Sequence, residues 1–181
     1  AVSNVTMTLY VKNMASINIA TLNCRGLMSP AKRQRLNLYV KQHRVDILLL
    51  QETHVTDNSL MTEIANEWGM RGYWSLGSYQ SKGVAILFKL SLNVTHNCHF
   101  RDSDGRLVVV NMKMGDENFR LINIYAPNKA RERYNFFKAV EDRLHAPGIR
   151  VLVAGDFNCV EDASLDRVTT PGNRTVFYDI K

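Results

Sequence analysis

The chain has 181 residues, 45% hydrophobic and 22% charged, with 23 Lys and Arg against 17 Asp and Glu for a net charge of +6. That size holds one domain with a real core, and no stretch approaches the ~20 apolar residues a membrane helix needs. The positive excess suits a polyanionic partner, though many basic proteins bind none.

Residues 1–16 lack a basic region followed by a long apolar block, so no secretory signal is expected. They read as an N-terminal leader whose order the sequence leaves open, ahead of one unit over 17–181. "SINIATLNC" (16–24) alternates Ile17, Ile19 and Thr21 against Asn18, Ala20 and Leu22, the pattern of a strand. A helix follows, with Ser29 as N-cap, Pro30 at the first helical position, and Leu36, Tyr39, Val40 and His43 on an expected buried face. "VDILLLQE" (45–52) is a continuous apolar run, as expected of a strand covered on both faces. From about Asp57, Met61, Ile64, Ala65 and Trp68 recur at helical spacing. Strand-like segments at 83–88, 93–100, 106–114 and 119–127 are separated by the turn sequences "DSDG" and "GDEN". A third helix places Arg133, Phe137, Val140 and Leu144 on one side and stops at Pro147-Gly148. "IRVLVAG" is a final buried strand, and Ser164 to Lys181 shows no evident closing element. This order of elements suits an α/β fold with two sheets packed face to face and helices outside.

The cysteines Cys24, Cys98 and Cys159 are odd in number and lack CxxC spacing. That argues against a disulfide framework or a zinc site and fits a reducing compartment, nucleus or cytoplasm.

"DILLLQE" and "RVLVAGD" are built alike, each a buried strand that ends in a carboxylate. Parallel strands would bring Glu52 and Asp156 to one rim, where ligands often bind. Either acid alone could simply leave the core for water or cap a turn. Two carboxylates beside a substrate phosphate are what Mg²⁺ commonly takes. Asn23, Asn158 and Tyr125 also lie at or just past strand ends.

These residues fall in motifs: "LNCRGL" (22–27), "LLQETH" (49–54), "KGVAILF" (82–88), "NIYAPN" (123–128) and "GDFN" (155–158), with "SLDR" (164–167) following. In order and spacing they resemble the endonuclease/exonuclease/phosphatase superfamily. More narrowly they resemble the apurinic-type endonuclease domain of LINE-like, non-LTR retrotransposons. The resemblance covers roughly residues 17–174. It implies a four-layered α/β sandwich and Mg²⁺- or Mn²⁺-dependent nicking of DNA, priming reverse transcription at the target site. It also implies roles. Glu52 resembles the metal-binding glutamate, and Asn23 the asparagine supporting that metal. Asp156 resembles the aspartate that orients or deprotonates the attacking water, with Asn158 helping to hold it. Tyr125 and Asn128 resemble the residues that contact the phosphate. A monomer acting on DNA, with no membrane partner, is expected.

Two departures stand out. Arg25 occupies the place of an aspartate found in the repair enzymes. The Asp-His strand with which the family pattern ends has no counterpart, since no histidine follows His145. On that ground the last strand or strands are expected to be missing and this chain to be crippled in turnover. The alternatives are a non-catalytic nucleic-acid-binding remnant, or a phosphatase or phospholipase of the same superfamily.

Overall fold

A computed structural model describes residues 4–10, 16–144, 147–159 and 175–180. "SLDR" lies outside them. Ten strands and three helices are described, in the order β1 (Asn4–Leu9), β2 (Ile17–Asn23), α1 (Pro30–Gln42), β3 (Ile47–Gln51), α2 (Asn58–Trp68), β4 (Met70–Ser75), β5 (Val84–Lys89), β6 (Thr95–Arg101), β7 (Leu107–Met114), β8 (Glu117–Tyr125), α3 (Ala130–Leu144), β9 (Arg150–Asp156) and β10 (Thr175–Ile180).

The strands form two five-stranded mixed sheets, ordered β1-β2-β3-β5-β4 and β10-β9-β8-β7-β6. Each sheet holds one parallel pair joined by a helix, β2–α1–β3 in the first and β8–α3–β9 in the second. The parallel pairs face one another across the interior.

The apolar run of β3 shows how the layers form. Ile47 and Leu49 face the inter-sheet core with Ile19, Phe88, Val110 and Leu121. Leu48 and Leu50 face the helices, packing with Val40, Ile64 and Trp68. All four are fully buried, each contributing about 2 kcal/mol of apolar burial. A third apolar layer joins β7, β8 and β9 to Val140 of α3. Helices, sheet, sheet and helix make the four layers expected.

Local chemistry sets the helix ends. Pro30 opens α1, where its missing N–H costs nothing. The Asp57 carboxylate accepts from Leu60 N–H at 3.0 Å to cap α2, and Gly69 closes that helix in the left-handed region at φ 63°.

The structure corrects the sequence reading in several places. Residues 4–9 of the expected leader form β1, antiparallel to β2. Within the tail, residues 175–180 form β10, antiparallel to β9. β4 was not anticipated, because Gly72 interrupts its pattern. A Cβ at Gly72 would lie 2.0 Å from the Ile86 carbonyl oxygen, so the close approach of β5 requires glycine there. On α1, Val40 is buried but His43 is exposed and stacks on Tyr39. The buried side chain is instead Arg33, whose guanidinium is satisfied by Glu63 and Glu67 of α2. β2 is covered on both faces, with Ala20 and Leu22 packed with Val40 of α1.

Candidate active site

β2 ends at Asn23, paired in register with Gln51 at the end of β3. β9 ends at Asp156, paired with Tyr125 at the end of β8. The chain therefore delivers an amide, two acids and a phenol to one rim.

Asn23 joins them. Its Nδ2 donates to Glu52 Oε1 and to Asp156 Oδ2, both at 2.9 Å. Its oxygen accepts from the Arg25 N–H at 3.2 Å, which turns the NH₂ group toward the acids. Asn23 thus clamps two carboxylates whose mutual repulsion would otherwise spread them. Asp156 is fully buried, and its Oδ1 accepts from the Asn158 N–H at 3.0 Å. Asn158 donates its amide to the Ala126 carbonyl at 2.7 Å, tying the loop after β9 to the end of β8. Tyr125 is 8% exposed, and burial pushes its phenol up to about 12, with Glu52 and Asp156 adding to the shift. The Arg106 guanidinium lies 5.1 Å from that ring and bonds the Tyr125 carbonyl at 3.0 Å. Asn128 stands apart on the exposed turn before α3, where its carbonyl accepts from Arg133 at 2.8 Å.

The rim backbone is unusual. Arg25, Glu52, His54, Lys82 and Asn158 all have positive φ, between 47° and 66°. Such residues cost of order 1–3 kcal/mol each and persist where surrounding structure holds them. Here the hold is visible around residues 52–54. Gly26 N–H bonds Glu52 O at 2.6 Å, Leu27 N–H bonds Thr53 O at 2.9 Å, Thr53 N–H bonds Gly83 O at 3.0 Å, and His54 N–H bonds Lys82 O at 3.1 Å. His54 Nε2 lies 3.8 Å from Glu52 Oε2. Burial, then the charge of Lys32, lowers the His54 pKa, and Glu52 partly offsets this.

A second polar cluster lies behind the site. Asn123, fully buried in β8, donates to the Leu50 and Ala85 carbonyls at 2.8 Å each and accepts from Gln51 Nε2 at 2.7 Å. Gln51 also bonds Thr21 Oγ1 at 3.0 Å. This crossbar ties one sheet to the other one or two residues from Glu52 and Tyr125. A polar residue inside the apolar run "LINIY" was its only signal in the sequence.

Among the described residues no three His, Cys, Asp or Glu side chains close into a metal cage. The donors at the rim are instead hard carboxylate oxygens, with Glu52 Oε2 not used by Asn23. That set fits Mg²⁺ or Mn²⁺, which take one or two carboxylates and complete their shell with water and substrate phosphate.

Two mixed sheets packed face to face, with acids clamped at the ends of their parallel strands, make an α/β sandwich with an acidic rim. The chain belongs to the endonuclease/exonuclease/phosphatase family, whose pattern it matches over residues 20–176. It is 27% identical over 150 residues to the transposon TX1 uncharacterized 149 kDa protein of Xenopus laevis, covering 82% of this chain and 11% of that protein. It is 30% identical over 176 residues to the DNA repair nuclease APEX1 of Danio rerio, covering 88% of this chain and 54% of that one. The chain therefore spans at most about half the length of these relatives. Its fold superposes on the endonuclease domain of TRAS1, a telomere-specific non-LTR retrotransposon, with a TM-score of 0.57. That match covers 83% of this chain and 66% of the other at 18% identity.

Proposed function

We propose that this chain is a metal-dependent DNA endonuclease domain, which nicks one strand so that a retrotransposon's reverse transcriptase can start from the free end. The observation that carries the reading is the Asn23 clamp, which holds Glu52 beside an acid 133 residues from Asn23 in sequence. A buried carboxylate and a half-buried one are kept together at such cost where a cation or a reacting phosphate will use them.

Each residue then has a task. Glu52 holds the divalent cation, which when bound would neutralise charge developing on the phosphoryl oxygens. Asp156, oriented by Asn23 and the Asn158 N–H, positions the attacking water and takes its proton. Tyr125 directs its phenol O–H to the scissile phosphate, and Arg106 over its ring adds positive charge. Asn128, exposed on the turn before α3, is assigned the contact with the phosphate, which must reach it outside the cluster. Support for DNA comes from the net charge of +6, from Arg25 and Lys32 together at one side of the rim, and from the nuclease named among the relatives. Support for the retrotransposon setting comes from the transposon protein and from the shared motifs.

The test is nicking of supercoiled plasmid in Mg²⁺ by the full-length domain, with and without Glu52→Gln. The variant should lose about 10²–10³-fold in rate and still bind duplex DNA. Equal nicking in EDTA would refute the metal mechanism. Cleavage of a small phosphomonoester or a lipid phosphodiester, with no action on DNA, would favour the phosphatase or phospholipase alternative.

A further inference from the structure

The two oxygens of Glu52 are held differently. Oε1 accepts a formed hydrogen bond from Asn23, whereas Oε2 faces His54 Nε2 at 3.8 Å. That nitrogen is buried from water and has no hydrogen-bond partner among the described residues. A buried ring nitrogen without a partner calls for an explanation.

The backbone goes to some length to bring the two side chains together. Glu52 at φ 52° and His54 at φ 56° are both left-handed, on either side of Thr53. Glutamate is not a residue type enriched in that region, as Asn, Asp and His are. Room for the imidazole is made by Gly26, at φ 89°, where a Cβ would stand 3.0 Å from His54 Nδ1. The same Gly26 donates its N–H to the Glu52 carbonyl. One glycine thus seats the ring and anchors the acid's backbone.

We propose that His54 is a positioning residue for Glu52. Its Nε2–H is directed at Oε2, while Asn23 holds Oε1, so the carboxylate plane is set before any cation arrives. This rests on the reading that Glu52 holds the divalent cation. A glutamate carboxylate turns freely about its last torsion, and a donor on each oxygen removes that freedom. Partners of this kind around a metal-binding carboxylate typically change affinity by 10–100-fold. At 3.8 Å the contact is electrostatic rather than a formed hydrogen bond. Bonds of this type are often long in unliganded sites and tighten with substrate.

Three substitutions separate this role from simple packing. His54→Gln carries an amide nitrogen at about the reach of Nε2. His54→Asn reaches only as far as Nδ1, yet suits the left-handed backbone better than histidine does. His54→Ala has no donor. The assay is Mn²⁺ binding by electron paramagnetic resonance on the protein without DNA, with thermal melts alongside. The Asn and Ala variants should bind Mn²⁺ about 10–100-fold more weakly, and the Gln variant within about threefold of wild type. His54→Asn should melt at least as high as wild type, so stability and affinity move apart. Asn binding as tightly as wild type, or Gln as weakly as Ala, would overturn the proposal. So would an imidazole-nitrogen coupling to bound Mn²⁺ that disappears in His54→Gln, since His54 would then be a ligand. Glu52→Gln is the reference. If wild type binds no better than Glu52→Gln, the reading of the site fails and the proposal with it. If wild type binds better but the three His54 variants match it, the positioning role alone is wrong.

Discussion

Replacing Asn123 with leucine tests whether the polar crossbar between the sheets holds the site together. Leucine keeps the branched shape and heavy-atom count of asparagine, so the change removes hydrogen bonds and leaves no cavity, while its two methyls must fit where smaller polar groups stood. Asn123 is 0% exposed, so bulk solvent does not reach its donors. Gln51 Nε2 keeps Thr21 Oγ1 at 3.0 Å and the Leu49 carbonyl at 3.3 Å, so it is not stranded. The loss falls on the Leu50 and Ala85 carbonyls, at about 1–3 kcal/mol each. Greater burial of apolar surface by leucine returns about 1 kcal/mol. The expected net is about 3 kcal/mol, or roughly 6–12 °C in melting temperature for a chain of this length. Urea unfolding of wild type and variant at neutral pH measures it. A loss below about 1 kcal/mol would refute the reasoning, because both carbonyls would then be satisfied without Asn123. Since Gln51 adjoins Glu52, divalent-cation binding should weaken in the same variant.

Duplex DNA binding should weaken steadily with salt, giving a clearly negative slope of log K on log[salt] as counterions are released. A flat response from low to physiological salt would reject DNA as the partner. Arg33→Met should cost about 2–3 kcal/mol, because the Leu27 and Met28 carbonyls lose a buried donor while Glu63 and Glu67 return to water. Its hydrogen bonds hold the Glu67 carboxyl below the ordinary 4.5, so the pair's contribution is complete above that value and is lost as pH falls through the lower folded value. Glu67 is 36% exposed and solvent screens the pair, so this pH-dependent part is the smaller one. The stability gap between wild type and Arg33→Met should therefore narrow below about pH 4.5 and stay constant above it. A gap unchanged at about pH 3 would show that the ion pair contributes nothing.

What could be read in advance follows from short-range chemistry. Pro30 starts a helix and Asp57 caps one for reasons complete within four residues. The unbroken apolar run Ile47–Leu50 already implies cover on both faces. The acids at the ends of two such runs could be picked out because the runs are built alike, and a pair of carboxylates at one rim is what a divalent cation takes. What escaped had its reason elsewhere in the chain. Gly72 looks like a strand breaker until β5 lies against it. Arg33 looks like solvent-facing charge until α2 brings Glu63 and Glu67. Asn123 looks like an error in an apolar strand until the carbonyls of the facing sheet appear. β1 and β10 carry too little pattern of their own and become strands through the edges of β2 and β9.

By itself, then, the sequence determined the three helices and the strands with an apolar pattern of their own, and which residue types can do chemistry on a phosphate. Tertiary structure decided the clamp. That Asn23 meets Asp156, that His54 turns its Nε2 toward Glu52, and that five left-handed residues collect at one rim all depend on two parallel pairs from different sheets ending side by side. Local propensity acts over a few residues, whereas an amide shared by two acids requires a separation of 133 residues to be closed by the packing of the whole core.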